Sequence, residues 1–212
     1  MEKKRIIFDL DGTIMTSGDY RLQEDYFRKL YGYSEKANNF VQNIGFYLTQ
    51  YECMFKTYTV NDLAKFLTLS TGLNITENDI RGWIDLPWSE TDYLEPGIVE
   101  VLEYLKSKDV SLVVLTNWFL QGQKDRLASK GLLQYFDEVV GGELCLKPHL
   151  EAYDWARGKF SRKDCLFVGD DFYKDYLGAV FAGYDAVLYD KDDKQDGDIV
   201  KIKRMNELIK KL

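Results

Sequence analysis

The chain of 212 residues is poor in the side chains that build disulfide frameworks and zinc sites, with three cysteines and one histidine. Cys53, Cys145 and Cys165 are scattered, odd in number and without a CxxC spacing, which argues against both kinds of site. We interpret them as reduced thiols, and the sequence therefore predicts a cytoplasmic protein.

An excess of basic residues and a long apolar run are also missing. The formal net charge of -7 argues against a general nucleic-acid or anionic-membrane surface, although a single site could still be locally positive and bind a small anion. The amino-terminal residues MEKKRIIFDLDG reach Asp9 after only three apolar residues, so we expect no signal peptide. Since no apolar run is long enough to span a bilayer, we predict a soluble protein that binds neither nucleic acid nor membrane.

The chain does contain enough apolar surface for a sizeable core, since 45% of its residues are hydrophobic and 15% are aromatic. Short β-rich apolar runs alternate with segments of helical periodicity, and several runs are apolar at successive positions, as in strands buried on both faces of a parallel sheet. The predicted strands are residues 5–10, 110–116, 136–140, 165–168 and 186–189, and the predicted helices are residues 98–108, 121–130, 150–159 and 173–182. This alternation predicts an α/β fold with a Rossmann-like parallel sheet.

Residues 19–90 interrupt the alternation, because they contain no convincing parallel strand. Segments 20–30, 39–55, 60–70 and 77–83 have helical periodicity instead. A connection this long favours a separate helical domain over an extension of the outer helices of the core. We predict an α/β core of residues 1–17 and 91–212 and an all-helical cap domain of residues 18–90, joined by linkers near residues 16–18 and 91–95.

Two carboxylates follow the first predicted strand, in the sequence DLDGT of residues 9–13. Ligands of an open parallel sheet bind beyond the carboxyl ends of the strands, so Asp9 and Asp11 are predicted to lie at that edge. Carboxylates held close together do not both stay ionised easily unless a cation neutralises them or one takes a proton. The pair therefore suits a nucleophile and an acid–base group beside a metal, with an ordinary Asp-Gly turn as the alternative.

Candidate anion-binding residues follow the next strand and a Gly-Gly turn. Thr116 and Asn117 precede a predicted helix, whose free N–H groups would join the hydroxyl and amide side chains in an anion site. Simple helix capping is the alternative interpretation of these two residues. Lys147 precedes Pro148 at the start of another predicted helix and could balance negative charge at the sheet edge, or it could be an exposed surface lysine.

A second acidic group follows the fourth predicted strand. Asp170 and Asp171 end the strand, and Asp175 lies one helical turn beyond Asp171. Carboxylates at the end of this strand would face Asp9 and supply oxygen ligands to Mg²⁺. Helix capping and a favourable place in the first helical turn are the alternatives for Asp171 and Asp175.

Taken in order, the segments DLDGT, TN, KP and GDDFYKD resemble the four motifs of the haloacid dehalogenase (HAD) superfamily of hydrolases. The resemblance covers nearly the whole chain, because the insertion between the first two motifs resembles the helical cap of the phosphatase branch. It implies that Asp9 attacks phosphorus to form an aspartyl-phosphate. It also implies that Asp11 protonates the leaving oxygen and then deprotonates the hydrolytic water.

The same resemblance assigns the remaining residues. Mg²⁺ would be held by the carboxylates of Asp9 and Asp170 and by the backbone carbonyl of Asp11. Asp171 and Asp175 would support that metal indirectly, Asp175 through a metal-bound water. Phosphate oxygens would be bound by Thr116, Asn117 and Lys147, the last of which would also bridge to the nucleophile.

These assignments predict a magnesium-dependent phosphatase for a small phosphorylated metabolite, acting as a monomer or a weak homodimer. A phosphomutase on the same scaffold is the alternative, and it would need cations in the cap to hold a second phosphate. A catalytically dead partner-binding protein is the third possibility, which the intact carboxylates and Lys147 argue against.

Overall fold

The computed structural model describes residues 3–17 and 21–212 of the chain. Residues 18–20, which include the start of the predicted cap domain and Gly18 of the first linker, lie outside the described residues. The strands are β1 (Arg5–Phe8), β2 (Met15–Ser17), β3 (Asp92–Leu94), β4 (Ser111–Leu115), β5 (Glu138–Val140), β6 (Cys165–Gly169), β7 (Asp185–Tyr189) and β8 (Lys201–Ile202).

Six of these strands form one parallel sheet in the order β5-β4-β1-β6-β7-β8. Successive residues of the central strands belong to different clusters: Ile6 and Phe8 pack in one apolar cluster, whereas Ile7 packs in a second. Because side chains alternate across a strand, the two clusters lie on opposite faces of the sheet. The prediction of a Rossmann-like parallel sheet buried on both faces is confirmed.

Helices cover the sheet and fill the insertion. The insertion contains α1 (Arg21–Tyr31), α2 (Glu35–Gln42), α3 (Ile44–Met54), α4 (Val60–Thr71), α5 (Glu77–Ile84) and α6 (Trp88–Thr91). The α/β part contains α7 (Ile98–Ser107), α8 (Leu120–Ser129), α9 (Leu150–Arg157) and α10 (Gly178–Phe181), with 3₁₀ turns at Leu133–Tyr135, Arg162–Asp164 and Met205–Lys210. None of the helices in the described ranges is long and apolar enough to cross a membrane.

Two predicted helices are interrupted. The helix predicted over residues 39–55 breaks at Asn43, whose side-chain amide donates to the backbone carbonyl of Asn39 at 2.8 Å and so competes with regular helical bonding. The helix predicted over residues 173–182 begins as a π-helix at Phe172–Leu177 and continues as α10. The backbone N–H of Tyr176 reaches the carbonyl of Asp171 at 3.2 Å, which is the longer π-type span.

The two connections between the sheet and the insertion form a short ladder that the sequence did not predict. Strands β2 and β3 pair antiparallel, with Met15 opposite Leu94 and Ser17 opposite Asp92. The helices of the insertion build their own aromatic-rich cluster, centred on residues such as Phe27 and Trp83, which extends onto Phe119 of the α/β part. The insertion is therefore tied at its base and packed over the carboxyl edge of the sheet.

Candidate active site

A cleft of about 330 Å³ opens at the carboxyl edge of the sheet, beneath the helical insertion. Residues from both parts of the chain line it. All of the site residues predicted from the sequence are among them: Asp9, Asp11, Thr116, Asn117, Lys147, Asp170, Asp171 and Asp175. The fold thus brings into one cleft side chains that are separated by up to 166 positions in the chain.

Lys147 lies at the centre of one side of the cleft. Its Nζ atom donates to Asp9 Oδ1 at 2.6 Å and to Asp175 Oδ1 at 2.6 Å, and the residue is only 3% exposed. Burial alone would lower the pKa of Lys147, but the negative charges of Asp175 and Asp9 outweigh it and hold that pKa above its ordinary value. Lys147 is therefore a buried, charged partner of the predicted nucleophile and not a surface lysine.

The same side carries more negative than positive charge. Burial raises the pKa of Asp9 well above its ordinary value, and the neighbouring charges of Asp175 and Asp170 add to this while Lys147 opposes it. Asp170 is exposed to the cleft, but the surrounding protein atoms remove much of the water around its carboxyl group. This desolvation, together with the negative charge of Asp175, raises the pKa of Asp170 to about 6. One ammonium thus faces three carboxylates, so a further cation could bind here and balance the remaining negative charge.

Asp9, Asp170 and Asp175 each offer a carboxylate oxygen, and these three oxygens lie within 4.8 Å of one another. Such an all-oxygen group suits a hard divalent cation such as Mg²⁺. Two of its members, Asp9 and Asp170, are the carboxylates predicted as metal ligands. Asp175, predicted to act through water, belongs to the same group, whereas the contribution of the Asp11 backbone carbonyl stays a prediction. We call Asp9, Lys147, Asp170 and Asp175 the Lys147 side.

Two glycines make space for this acidic group. Gly12 has a φ of +86°, and a Cβ atom there would lie 2.3 Å from Asp170 Oδ2. A Cβ atom on Gly169 would lie 2.3 Å from Asp175 Cγ. Any larger residue at either position would push a carboxylate out of the cleft, because these separations are far below van der Waals contact.

Asn117 holds the backbone of Lys147 in place. Its side-chain Nδ2 donates to the Lys147 carbonyl at 2.7 Å, and its Oδ1 accepts from the Lys147 N–H at 2.8 Å. A direct contact of this side chain with phosphate would have to compete with these two hydrogen bonds. The predicted phosphate-binding role of Asn117 stays a prediction, and the structure adds a role in positioning Lys147.

Asp171 caps the helical segment that follows it. Its Oδ1 accepts from the backbone N–H groups of Tyr173 at 2.9 Å and Lys174 at 2.8 Å, as the capping interpretation predicted. Lys174 also pairs at 3.3 Å with Glu52, a buried residue of α3 in the insertion. Sequence reasoning missed this contact between the insertion and the α/β part, because Glu52 lies outside the recognised motifs and no motif assigns a partner to Lys174.

Asp11 faces a different set of partners from Asp9. Its Oδ1 accepts from Arg126 Nη1 at 2.6 Å and its Oδ2 accepts from Gln123 Nε2 at 2.8 Å. The same Gln123 Nε2 lies 2.8 Å from the hydroxyl oxygen of Thr116. Arg126 in turn binds Asp92, the first residue of β3. We call Asp11, Gln123, Arg126 and Asp92 the Arg126 side.

Sequence reasoning missed Gln123 and Arg126, although one signal was available. The two residues are three positions apart on α8, the helix that directly follows Thr116 and Asn117, so they share the helix face that points back to the strand ends. Asp92 carried no such signal, because its closeness to the site depends on the pairing of β3 with β2.

Three tryptophans also line the cleft: Trp83, Trp88 and Trp118. The rings of Trp83 and Trp118 meet edge to face, with centroids 4.9 Å apart. Trp118 thus both lines the cleft and joins the apolar cluster beneath the insertion. These rings form an apolar, tryptophan-lined wall of the cleft, whereas the carboxylates and Lys147 make another part of it charged.

A family model for haloacid dehalogenase-like hydrolases matches residues 3–183, and the chain belongs to this family. Glyceraldehyde 3-phosphate phosphatase of Methanothermobacter thermautotrophicus is 27% identical, over 89% of this chain and 86% of that protein. Phosphoglycolate phosphatase of Haemophilus influenzae (strain Rd) is 37% identical over a shorter alignment that spans 36% of each chain.

The fold is also found in solved structures. The HAD-hydrolase YfnB from Bacillus subtilis, which was solved bound to magnesium and shows interdomain movement, superposes with a TM-score of 0.74 at 19% identity. The match covers 100% of this chain and 99% of that one. This likeness shows that the chain shares its fold with that hydrolase.

Proposed function

We propose that this hydrolase is a magnesium-dependent phosphatase that cleaves a small phosphate monoester through an aspartyl-phosphate on Asp9. The observation that carries the proposal is the Lys147 side, where the buried ammonium contacts Asp9 within a group of three carboxylates at the floor of a cleft. One relative that matches 89% of this chain and another that matches 36% of it are phosphatases of small phosphorylated metabolites. Their names support a phosphatase activity for this chain.

In the first step, a carboxylate oxygen of Asp9 attacks phosphorus while the bond to the leaving oxygen breaks. Lys147, already 2.6 Å from Asp9, offsets the negative charge that the phosphoryl group brings to the cleft. Asp11 gives its proton to the leaving oxygen, so that the alcohol departs neutral.

In the second step, water attacks the phosphorus of the aspartyl-phosphate and transfers a proton to Asp11. The phosphorus bond to Asp9 breaks, inorganic phosphate leaves and Asp9 is free again. A magnesium ion held by Asp9 and Asp170, with Asp175 close by, would supply charge neutralisation on the phosphoryl oxygens.

A phosphomutase would need a second phosphate site on the helical insertion. Among the described residues of the insertion that line the cleft there is no cation, because they are Gln23, Leu48, Glu52, Trp83 and Trp88. The glutamate in this set would repel a second phosphate. The lining therefore favours a phosphatase over the mutase alternative.

The test is a screen of the purified protein with Mg²⁺ against phosphorylated metabolites. The panel should contain glyceraldehyde 3-phosphate, phosphoglycolate, nucleoside monophosphates and hexose 1-phosphates, the last of which detect mutase activity. We expect phosphate release from at least one monoester, its loss with EDTA and its return with Mg²⁺. Full activity in a metal-stripped sample, or isomerisation of a hexose 1-phosphate without phosphate release, would contradict the proposal.

A further inference from the structure

Arg126 is one of the most firmly held side chains beside the cleft. It is 7% exposed, and two of its nitrogens form a fork with Asp92: Nε lies 2.7 Å from Oδ2 and Nη2 lies 2.8 Å from Oδ1. Asp92 is itself fully buried at the side chain. Because a planar guanidinium bound at two points cannot rotate, its third nitrogen, Nη1, is held at a set place in the cleft wall.

That third nitrogen points at Asp11. Nη1 donates to Asp11 Oδ1 at 2.6 Å and to Gln123 Oε1 at 2.6 Å, while Gln123 Nε2 donates to Asp11 Oδ2 at 2.8 Å. Both oxygens of the Asp11 carboxylate are thus bonded to α8. The Asp11 side chain is 49% exposed and follows the end of β1, so little apolar packing restrains it. Its direction depends on these two hydrogen bonds.

We propose that Arg126, braced by Asp92 and assisted by Gln123, is the positioning residue for the acid–base group Asp11. This inference rests on the proposed function, in which Asp11 exchanges a proton with the leaving oxygen and with water. Proton transfer requires hydrogen-bond reach and alignment, and a misplacement of about 1 Å can cost on the order of 100-fold in rate. A carboxylate free to rotate at the mouth of the cleft would lose that alignment.

A purely structural role for Arg126 is the competing interpretation. In that case the residue would only fasten β3 to α8 through Asp92, and its loss would weaken the fold or lower the rate for every substrate equally. A positioning role predicts a selective loss instead, because only reactions that need proton donation depend on where Asp11 points.

The experiment uses two classes of phosphate monoester with Mg²⁺. An alkyl phosphate has a poor leaving group that needs the proton, whereas 2,4-dinitrophenyl phosphate has a leaving group stable without it. The measured quantity is kcat/KM. It reports the steps up to the first irreversible one, and therefore includes departure of the leaving group but not the later hydrolysis of the aspartyl-phosphate. Asp11→Asn provides the reference pattern, with a loss of about 10²- to 10⁴-fold for the alkyl phosphate and a much smaller loss for the aryl phosphate.

Arg126→Lys keeps a positive charge beside Asp92. A single ammonium, however, cannot make the two-point contact with Asp92 and at the same time hold a third nitrogen against Asp11. We expect it to lower kcat/KM by roughly 10- to 100-fold for the alkyl phosphate and less than about threefold for the aryl phosphate. Gln123→Leu leaves the Arg126–Asp92 pair intact and should give the same selectivity to a smaller extent. In the Asp11→Asn background either substitution should add little, because the group that they position is already inactive.

Arg5→Lys is the matched control. Arg5 is also 7% exposed and bonded through several nitrogens, to the Ala156 carbonyl and to Glu138, but it lies at the amino edge of the sheet. It should leave the ratio of the two substrates unchanged. Equal losses for both substrates, or losses that add fully to Asp11→Asn, would overturn the positioning role. Failure of the proposed function looks different, because the unaltered protein would then hydrolyse neither substrate.

Discussion

Asp9 and Asp11 are two positions apart in the chain, yet they belong to sides of the cleft that differ in charge and exposure. On the Lys147 side, a buried ammonium faces three carboxylates, and the pKa values of Asp9 and Asp170 are raised. On the Arg126 side, a guanidinium and an amide bind Asp11, which is half-exposed. The first side is short of positive charge and suits a cation, whereas the second orients one carboxylate.

The difference shows how one short motif can supply two chemically distinct carboxylates. The strand end places Asp9 among other acids, whereas the chain turns at Gly12 and Asp11 contacts the guanidinium of Arg126 and the amide of Gln123. Environment therefore separates the two roles, as it does wherever titratable groups of the same type serve as nucleophile and acid–base catalyst.

The largest effect should come from replacing Asp9, the proposed nucleophile on the Lys147 side. Asp9→Asn should abolish turnover of every phosphate monoester, both alkyl and aryl, because an amide does not form the aspartyl-phosphate. Phosphate release and mass spectrometry of the trapped intermediate measure this. Asp185→Asn, at the amino edge of the sheet, is the control that should keep full activity. Turnover by the Asp9 variant at more than a trace would show that Asp9 is not the nucleophile.

A second effect should appear when protons compete with the cation for the Lys147 side. Since the pKa of Asp170 is raised to about 6, this carboxyl holds a proton below that pH and releases it above it. The pKa of Asp9 is also raised, so protons compete with the cation at both carboxyls. The affinity for Mg²⁺ should therefore be greatest above about pH 7 and should fall by up to about tenfold per pH unit below about pH 6.

Calorimetric titration of the protein with Mg²⁺ from pH 5 to pH 8 measures this dependence. Asp170→Asn should weaken binding and flatten the pH profile, whereas Arg126→Lys on the other side should change neither. An affinity that stays constant over this range would show that the acidic group does not bind the ion.

The smallest effect concerns how the helical insertion joins the two sides. We propose that it is a mobile cap. Glu52 of the insertion pairs with Lys174, the neighbour of Asp175 on the Lys147 side, and the insertion leads into β3, whose Asp92 binds Arg126. Mg²⁺ and beryllium fluoride, a phosphate mimic, should close the cap and slow amide exchange several-fold in β2, β3 and the inner face of the insertion. The central strands should change little, because the sheet already protects them.

Hydrogen-exchange mass spectrometry of the free and ligand-bound protein measures this protection. If it were confined to the segments around Asp9, Lys147 and Asp170, the insertion would be a fixed wall of the cleft. Substrate selection would then come from the static shape of the tryptophan-lined wall.

Much of the core could be predicted from local patterns. Runs such as Ile6–Ile7–Phe8 are apolar at successive positions because each residue meets a different face of a doubly covered sheet, so the pattern itself reports the burial. The ladder of β2 and β3 could not be predicted in the same way. Each strand has three residues, and such short strands form only because the ends of the insertion are brought together.

The strand-end motifs can be recognised in the sequence, and they predict that Asp9, Asp11, Lys147 and Asp170 meet in the cleft, because the carboxyl ends of parallel strands share one edge. Which charges pair in the cleft depends on the folded structure. Arg126 is 115 positions from Asp11 and Lys147 is 138 positions from Asp9, yet both pairs lie at 2.6 Å. Electrostatic interaction depends on distance in space and on local burial, neither of which is written in the order of the residues.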